Sequence, residues 1–231
     1  RLTLTGQAET LVVLDKDGEP LMDAISWMDE RSREECKELE EKFSKETYIA
    51  RTGQLAVLPT WPATKIRWLQ KNRPEIFERV GTYMLLKDYV VYWLTGQRAA
   101  DCSIATFTFY FDIYRKCYWE EMLDAIGITK EQLPSLAEPC TLAGRLTKEA
   151  AALTGLPETV AINRGTLDHF AGMIGTGNVT AGGLTMSVGT VMGLSVFAPV
   201  GWRWQERAQE IAMHYGFFPD SYVMLPVAES G

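Results

Sequence analysis

The texture of this sequence changes part-way along, and that change constrains the fold more than any other feature. Up to Gly175, short apolar stretches alternate with stretches of helical periodicity. Beyond it, Gly177, Gly182, Gly183, Gly189 and Gly193 punctuate β-rich segments, with further strands expected at about 210–217 and 222–227. Interleaved helices and strands indicate an α/β or α+β arrangement, and the stretch after Gly175 reads as the opening antiparallel strands of a separate unit. The expected division is 1–178 and 179–231, with the boundary near Asn178. The sequence has no repeat of roughly 20 to 50 residues, so solenoids and propellers are excluded.

Local signals fill in the first unit. Leu11-Val12-Val13-Leu14, the turn Asp15-Lys16-Asp17-Gly18 and an apolar-polar stretch to Ile25 predict a β-hairpin, with Asp17-Gly18 supplying positive-φ turn chemistry. From Asp29 to Phe43 the pattern is helical, with Cys36, Leu39 and Phe43 on one stripe and Glu38–Lys42 and Glu41–Lys45 as solvent-side pairs. A helix is expected after Thr60, with Pro62 in its first turn and Ile66 and Leu69 inward. Tyr83 to Leu86 reads as a strand. Further helices run from Asp88 to Gly96, from Trp119 to Gly127 and from Thr147 to Thr154. Val160 to Asn163 reads as a strand leading to a helix that begins near Asp168.

Charge and cysteine content narrow the partners. Lys plus Arg number 23 against 30 Asp plus Glu, a formal charge of -7. That balance repels phosphate backbones and speaks against nucleic acid. The four cysteines, Cys36, Cys102, Cys117 and Cys140, form no Cys-x-x-Cys pair, and with His169 and His214 alone no zinc site of familiar spacing can be drawn. Dispersed thiols suit a reducing cytoplasm, the expected location. Apolar runs fall short of the roughly 20 residues that span a bilayer, so no membrane partner is expected. The sequence opens on Arg1 rather than methionine and stops after Glu229-Ser230-Gly231, and it reads as the central part of a longer chain.

Three places could carry chemistry. Asp168 lies in Asn163-Arg164-Gly165-Thr166-Leu167-Asp168-His169, where a strand hands over to a helix. The helix dipole and free N–H groups keep such a carboxylate ionised, and open sheets bind ligands at the carboxyl ends of their strands. The same placement also suits an ordinary capping aspartate. Ser187-Val188-Gly189-Thr190 could present backbone N–H groups and a hydroxyl to phosphate oxygens, or be a plain hairpin turn. Gln7, Glu9, Trp27 and Asp29 stand at the two ends of the first hairpin. Carboxylates beside an indole can hold a polyhydroxylated ligand, and they also occur as surface acids around a core tryptophan. Gly175-Thr176-Gly177 does not match Gly-x-Gly-x-x-Gly, so a dinucleotide fold is not supported.

Several segments, taken in order, resemble the FGGY family of carbohydrate kinases. They are Thr5-Gly6-Gln7-Ala8-Glu9-Thr10 before Ser26-Trp27-Met28-Asp29-Glu30-Arg31; Arg51-Thr52-Gly53, then Pro59 and Thr64-Lys65-Ile66-Arg67-Trp68-Leu69; and Lys87-Asp88-Tyr89 leading to Leu94-Thr95-Gly96, Asp101 and Ser103. Thr154-Gly155-Leu156-Pro157, Gly165 to Asp168 leading to Gly175-Thr176-Gly177, and Ser187-Val188-Gly189-Thr190 complete the set.

The resemblance implies an α/β fold: a ribonuclease-H-like N-terminal domain of the actin and sugar-kinase type with helical insertions, plus the opening strands of a second domain of the same type. It implies ATP-dependent phosphorylation of a small sugar, sugar acid or polyol, with a pentulose favoured. Asp168 falls on the general base, and Glu9, Trp27, Asp29, Thr60 and His169 fall on sugar-contacting positions. Gly189 and Thr190 match a turn that meets the ATP phosphates. ATP and Mg2+ are the implied cofactors, with the Mg2+ ligands expected mainly in an Asp-x-Gly-Thr hairpin that this chain does not supply. A homodimer is compatible with the resemblance. Glycerol kinases carry Arg-Glu where Ala8-Glu9 stands here and tyrosine at Thr60, and xylulose kinases carry Met-His at Ala8-Glu9. A non-catalytic sugar-binding relative on the same scaffold is the alternative, since fold does not fix function.

Overall fold

In the computed structural model, which describes residues 1–188, 191–198 and 211–229, the chain opens with strands β1 (Leu2–Gly6) and β2 (Leu11–Leu14). β1 alternates between half-buried and exposed positions, whereas the four apolar residues of β2 are all buried. The turn after β2 forms as expected, with the Asp15 carboxylate accepting the N–H groups of Asp17 (2.9 Å) and Glu19 (3.0 Å). The return arm is less regular than a full hairpin. Its backbone pairs with β2 through isolated bridges at Leu14–Pro20 and Leu11–Ile25.

The helical segment starts later than its charge pattern suggests. Asp29 accepts the Arg31 N–H (3.0 Å) in a local turn, and α1 covers Arg33–Lys42 with Cys36 and Leu39 buried. The expected pairs Glu38–Lys42 and Glu41–Lys45 are absent among the described residues. Ser44 caps a new helix, α2 (Lys45–Thr52), so Lys45 lies on a different axis from Glu41. Glu38 instead pairs with Arg67 (3.0 Å) and Lys71 of α3 (Pro62–Asn72). Pro62 occupies the first turn of α3 as expected, with Ile66 and Leu69 fully buried.

The short α4 (Pro74–Phe77) leads to β3 (Thr82–Leu85), the main partner of β2, in an antiparallel ladder from Leu11–Leu85 to Leu14–Thr82. Then come α5 (Leu86–Thr95), β4 (Ala99–Asp101), α6 (Cys102–Ala105), β5 (Phe111–Asp112), β6 (Cys117–Tyr118), α7 (Glu120–Ile126) and β7 (Ser135–Ala137). After them follow β8 (Leu142–Arg145), α8 (Lys148–Thr154), β9 (Ala161–Leu167) and α9 (Asp168–Gly175). The glycine-punctuated region forms β10 (Leu184–Val188), β11 (Val191–Ala198), β12 (Met213–Tyr215), β13 (Tyr222–Met224) and β14 (Val227–Glu229). Those strands make one antiparallel sheet in the order β10-β11-β13-β12, with β14 also on β11.

β9 is the centre of a second sheet, ordered β1-β9-β8, parallel to β1 and antiparallel to β8. Its register on β1 slips between Thr3–Asn163 and Thr5–Thr166, so β9 carries one extra residue there. Gly165 makes the bulge feasible. Its φ is +80°, and a Cβ would stand 1.7 Å from the Leu4 carbonyl oxygen. An extra residue re-phases every side chain beyond it, so the bulge sets the face from which β9 delivers Asp168.

The bulge is held by buried charge. Lys87, at the start of α5, donates to the Arg164 carbonyl (2.6 Å) and pairs with Asp88 (2.6 Å) and Asp101 (3.0 Å), all three almost wholly buried. Asp101 caps α6 through the N–H groups of Ser103 (3.0 Å) and Ile104 (3.1 Å), and the Ser103 hydroxyl meets that of Thr166 (2.8 Å). Around this frame lies one large apolar cluster that includes Leu11, Ile66, Leu69, Phe107, Phe109, Phe170 and Phe217. Burying each such side chain contributes about 1.5–3 kcal/mol. The cluster reaches both sheets, through Leu167 of β9 and through Phe197 of β11 and Val223 of β13, and Phe170 of α9 packs on Phe217 (ring centroids 6.0 Å apart).

Candidate functional site

Between the two sheets, at the carboxyl ends of β1 and β9, lies a cavity of about 630 Å3. That size suits a small-molecule ligand. Gln7, Ala8 and Glu9 form the wall after β1, and Trp27 follows from the segment after the first turn. The α2–α3 connection supplies Gln54, Leu55, Ala56, Leu58, Thr60 and Trp61, while Phe107 and Leu167 contribute apolar surface. Asp168 and His169 enter from the start of α9, and Ser187, Ala212, His214 and Leu225 from the glycine-rich sheet.

Asp168 is the first residue of α9, immediately after the last residue of β9. Its side chain is exposed, and one carboxylate oxygen accepts the His169 N–H (2.6 Å). The other oxygen has no hydrogen-bond partner among the described residues. That oxygen keeps its lone pairs available to a ligand hydroxyl in the cavity.

Glu9 differs in character. Burial in the largely apolar wall raises its carboxyl pKa to about 7, against the opposing pull of the Thr60 hydroxyl and the Lys65 ammonium. It can act as a neutral donor or a charged acceptor near neutral pH. Trp27 is half-buried, and its backbone N–H donates to Thr10 Oγ1 (3.1 Å). The site thus combines a free carboxylate, a carboxyl poised between two states, hydroxyl and imidazole groups, and indole faces. That set suits a ligand with several hydroxyls on a C–H framework.

Residues 1–175 match the model for the N-terminal domain of the FGGY family of carbohydrate kinases. The chain belongs to that family. A xylulose kinase from Klebsiella pneumoniae is 35% identical over 189 residues, which is 82% of this chain and 38% of that protein. The crystal structure of xylulose kinase from Rhodospirillum rubrum superimposes with a TM-score of 0.89 at 27% identity, covering 98% of this chain and 46% of that one. Plasmodium falciparum glycerol kinase with ADP shares the fold, with a TM-score of 0.85 at 21% identity over 97% of this chain and 46% of that one. This FGGY chain therefore spans about 38% of the length of the curated relative it matches. Its fold is the actin-type, ribonuclease-H-like arrangement of the sugar kinases, as the sequence resemblance implied.

Of the residues expected to contact a sugar, Glu9, Trp27, Thr60 and His169 line this one cavity, together with Asp168, the expected general base. Asp29 does not: its carboxylate is taken up by Arg31 (2.6 and 2.8 Å), whose guanidinium in turn lies over the Trp68 ring (4.8 Å). Gly189 and Thr190 lie outside the described residues, although Ser187, just before them, borders the cavity. Among the described residues no group of three or more His, Cys, Asp or Glu side chains is arranged to hold a metal ion, so Mg2+ is not assigned to any of them. No helix among the described residues is long and apolar enough to cross a membrane.

Sequence reasoning missed two polar wall residues. Gln54 directly follows the Arg51-Thr52-Gly53 motif and is 3% exposed, its side-chain amide nitrogen without a hydrogen-bond partner among the described residues. His214 is equally buried and stacks on Phe107, with ring centroids 4.5 Å apart and an interplanar angle of 18°. Burial lowers its pKa to about 3, so the ring is neutral. The signal for His214 was its rarity, one of two histidines in the chain. Its place on the wall depends on how the second sheet packs on the first, which no local pattern encodes.

Proposed function

We propose that the protein containing this chain transfers the γ-phosphoryl group of ATP to a hydroxyl of a small sugar, sugar acid or polyol, with a pentulose such as xylulose favoured. Asp168 is the general base. It takes the proton of the attacking hydroxyl as the new oxygen–phosphorus bond forms, and the bond to the bridging oxygen breaks to release ADP. Phosphoryl transfer asks the protein mainly for alignment and charge stabilisation, with a carboxylate beside the nucleophile.

The observation that carries this reading is the free Asp168 carboxylate opening into the cavity that Glu9, Trp27, Thr60 and His169 share. Glu9, Thr60 and His169 bind sugar hydroxyls in this reading, and Trp27 covers a C–H face. Gly189 and Thr190 meet the ATP phosphates. ATP and a divalent metal fit the family generally. The pentulose preference rests on relatives named xylulose kinase, and Ala8-Glu9, where the resemblance implies Met-His in xylulose kinases, is the place that would set a different choice. The match over residues 1–175 supports a first domain ending near Asn178, with the glycine-rich sheet as the start of the second.

An ADP-release screen of the full-length protein against pentuloses, hexuloses, aldonates and polyols tests the proposal. Sugar-dependent ADP release, strongest with a pentulose, is the expected result. Sugar binding without ADP release under any of these conditions would replace it with the non-catalytic relative.

A further inference from the structure

Glu9 holds a backbone conformation that a residue with a side chain does not favour. Thr10 N–H donates to the Ala8 carbonyl across it (2.8 Å), and the φ of Glu9 is +67°. A three-residue turn of that sign is rare and strained, and it persists only where the surroundings hold it. One contact on the Glu9 backbone comes from Lys65.

Lys65 lies in the first turns of α3 and is 0% exposed. Its ammonium donates to the Glu9 carbonyl (3.1 Å) and the Ser26 carbonyl (2.8 Å). Among the described residues no carboxylate lies within 4.0 Å of it. A buried cation is costly unless it is fully engaged, so this arrangement requires a specific use for the two carbonyls. Packing of α3 does not supply that use, because Ile66 and Leu69 anchor the helix. What the two carbonyls share is the cavity: one belongs to Glu9, and the other directly precedes Trp27.

We propose that Lys65 is a positioning residue for sugar recognition. By tying the Glu9 and Ser26 carbonyls to the start of α3, it holds the Glu9 carboxyl and the Trp27 indole in the arrangement that receives the sugar. This inference rests on the reading of the cavity as a sugar site. The charged groups that act on Lys65 are Glu9, Asp29 and Arg31, the last two from the loop before α1, and Asp168, His169 and His214 line the same cavity as Glu9.

The test uses the full-length protein with Lys65→Met, Lys65→Arg, Glu9→Gln and the double variant Lys65→Met/Glu9→Gln. Xylulose affinity is measured by calorimetry across pH, alongside the KM for ATP and the thermal midpoint. Lys65→Met is expected to weaken xylulose binding about tenfold or more, on the scale of a lost charge-assisted hydrogen bond, with the ATP KM nearly unchanged. The pH midpoint of binding should rise, because the cation that favours the Glu9 carboxylate is gone. Lys65→Arg, which keeps charge and donors, should recover part of the affinity, and Lys65→Met should cost less on the Glu9→Gln background than in the unsubstituted protein, the remainder reporting the Ser26–Trp27 arm. Folded Lys65→Met with wild-type affinity and pH midpoint would overturn the proposal while leaving the sugar site intact. Wild-type protein that binds no sugar would overturn both. Loss of the fold in both Lys65 variants would also overturn it, in favour of a purely structural cation.

Discussion

Replacing Gly165 with alanine would put a methyl group where the Leu4 carbonyl already stands. The clash distance is 1.7 Å, and the backbone φ of +80° is unfavourable for any residue with a Cβ. Gly155 offers a matched control, since its φ is +72° but no atom lies within 4 Å of a Cβ placed there. Gly155→Ala should pay only the left-handed backbone penalty, about 1–2 kcal/mol. Gly165→Ala should pay that penalty plus the strain of moving two paired strands apart, about 1–3 kcal/mol more. The gain from a stiffer unfolded chain is common to both variants and cancels in the difference. At about 2–4 °C per kcal/mol for a chain of this size, Gly165→Ala should lower Tm by roughly 4–20 °C, and Gly155→Ala by roughly 2–8 °C. Thermal unfolding followed by circular dichroism gives both values. Equal losses, or a smaller loss at Gly165, would refute the bulge as the element that phases β9 and its Asp168.

Further outcomes follow from the site. Glu9→Gln should weaken sugar binding about tenfold or more above pH 7 and remove a rise in affinity as pH passes through about 7, since only the carboxylate is a charged acceptor; calorimetry across pH checks this. His214 is neutral in the fold to about pH 3 while an unfolded histidine protonates near 6.5, so the protein should lose stability as pH falls from 6.5 towards 3, by up to about 1.4 kcal/mol per unit. His214→Phe should flatten that slope in urea titrations at pH 5 and 7. Lys87→Met should strand Asp88 and Asp101 as buried, unpaired carboxyls and cost about 3–5 kcal/mol, read as a lowered urea midpoint.

The parts of the fold legible in the sequence are those set by local physics. The α3 helix announces itself through Pro62 and the spacing of Ile66 and Leu69, and the strand-to-helix passage at Asp168 through an apolar run ending on an acid. The ladder partner of β2 was not legible, because β3 lies some seventy residues away and pairs through backbone groups that leave no signature. Glu38 looked like half of an i,i+4 pair, but Arg67 and Lys71 of another helix claim it. Lys65 shows the limit most clearly. In sequence it is one charge in Thr64-Lys65-Ile66-Arg67, yet its ammonium is engaged by carbonyls from residues 9 and 26, contacts that exist only after the fold has formed. Of the cavity residues, Glu9, Trp27 and Asp168 could be named in advance from their local sequence, and Thr60 and His169 from the family resemblance. Asp29 could not be separated from them without seeing that Arg31 takes its carboxylate.

The central claim is that Asp168 removes the proton from the sugar hydroxyl, and Asp168→Ala in the full-length protein tests it directly. With xylulose and ATP, coupled ADP release should fall by roughly 10²- to 10⁴-fold, while the thermal midpoint and the sugar affinity stay close to those of the unsubstituted protein. Turnover retained within about tenfold in a folded, sugar-binding variant would contradict the assignment.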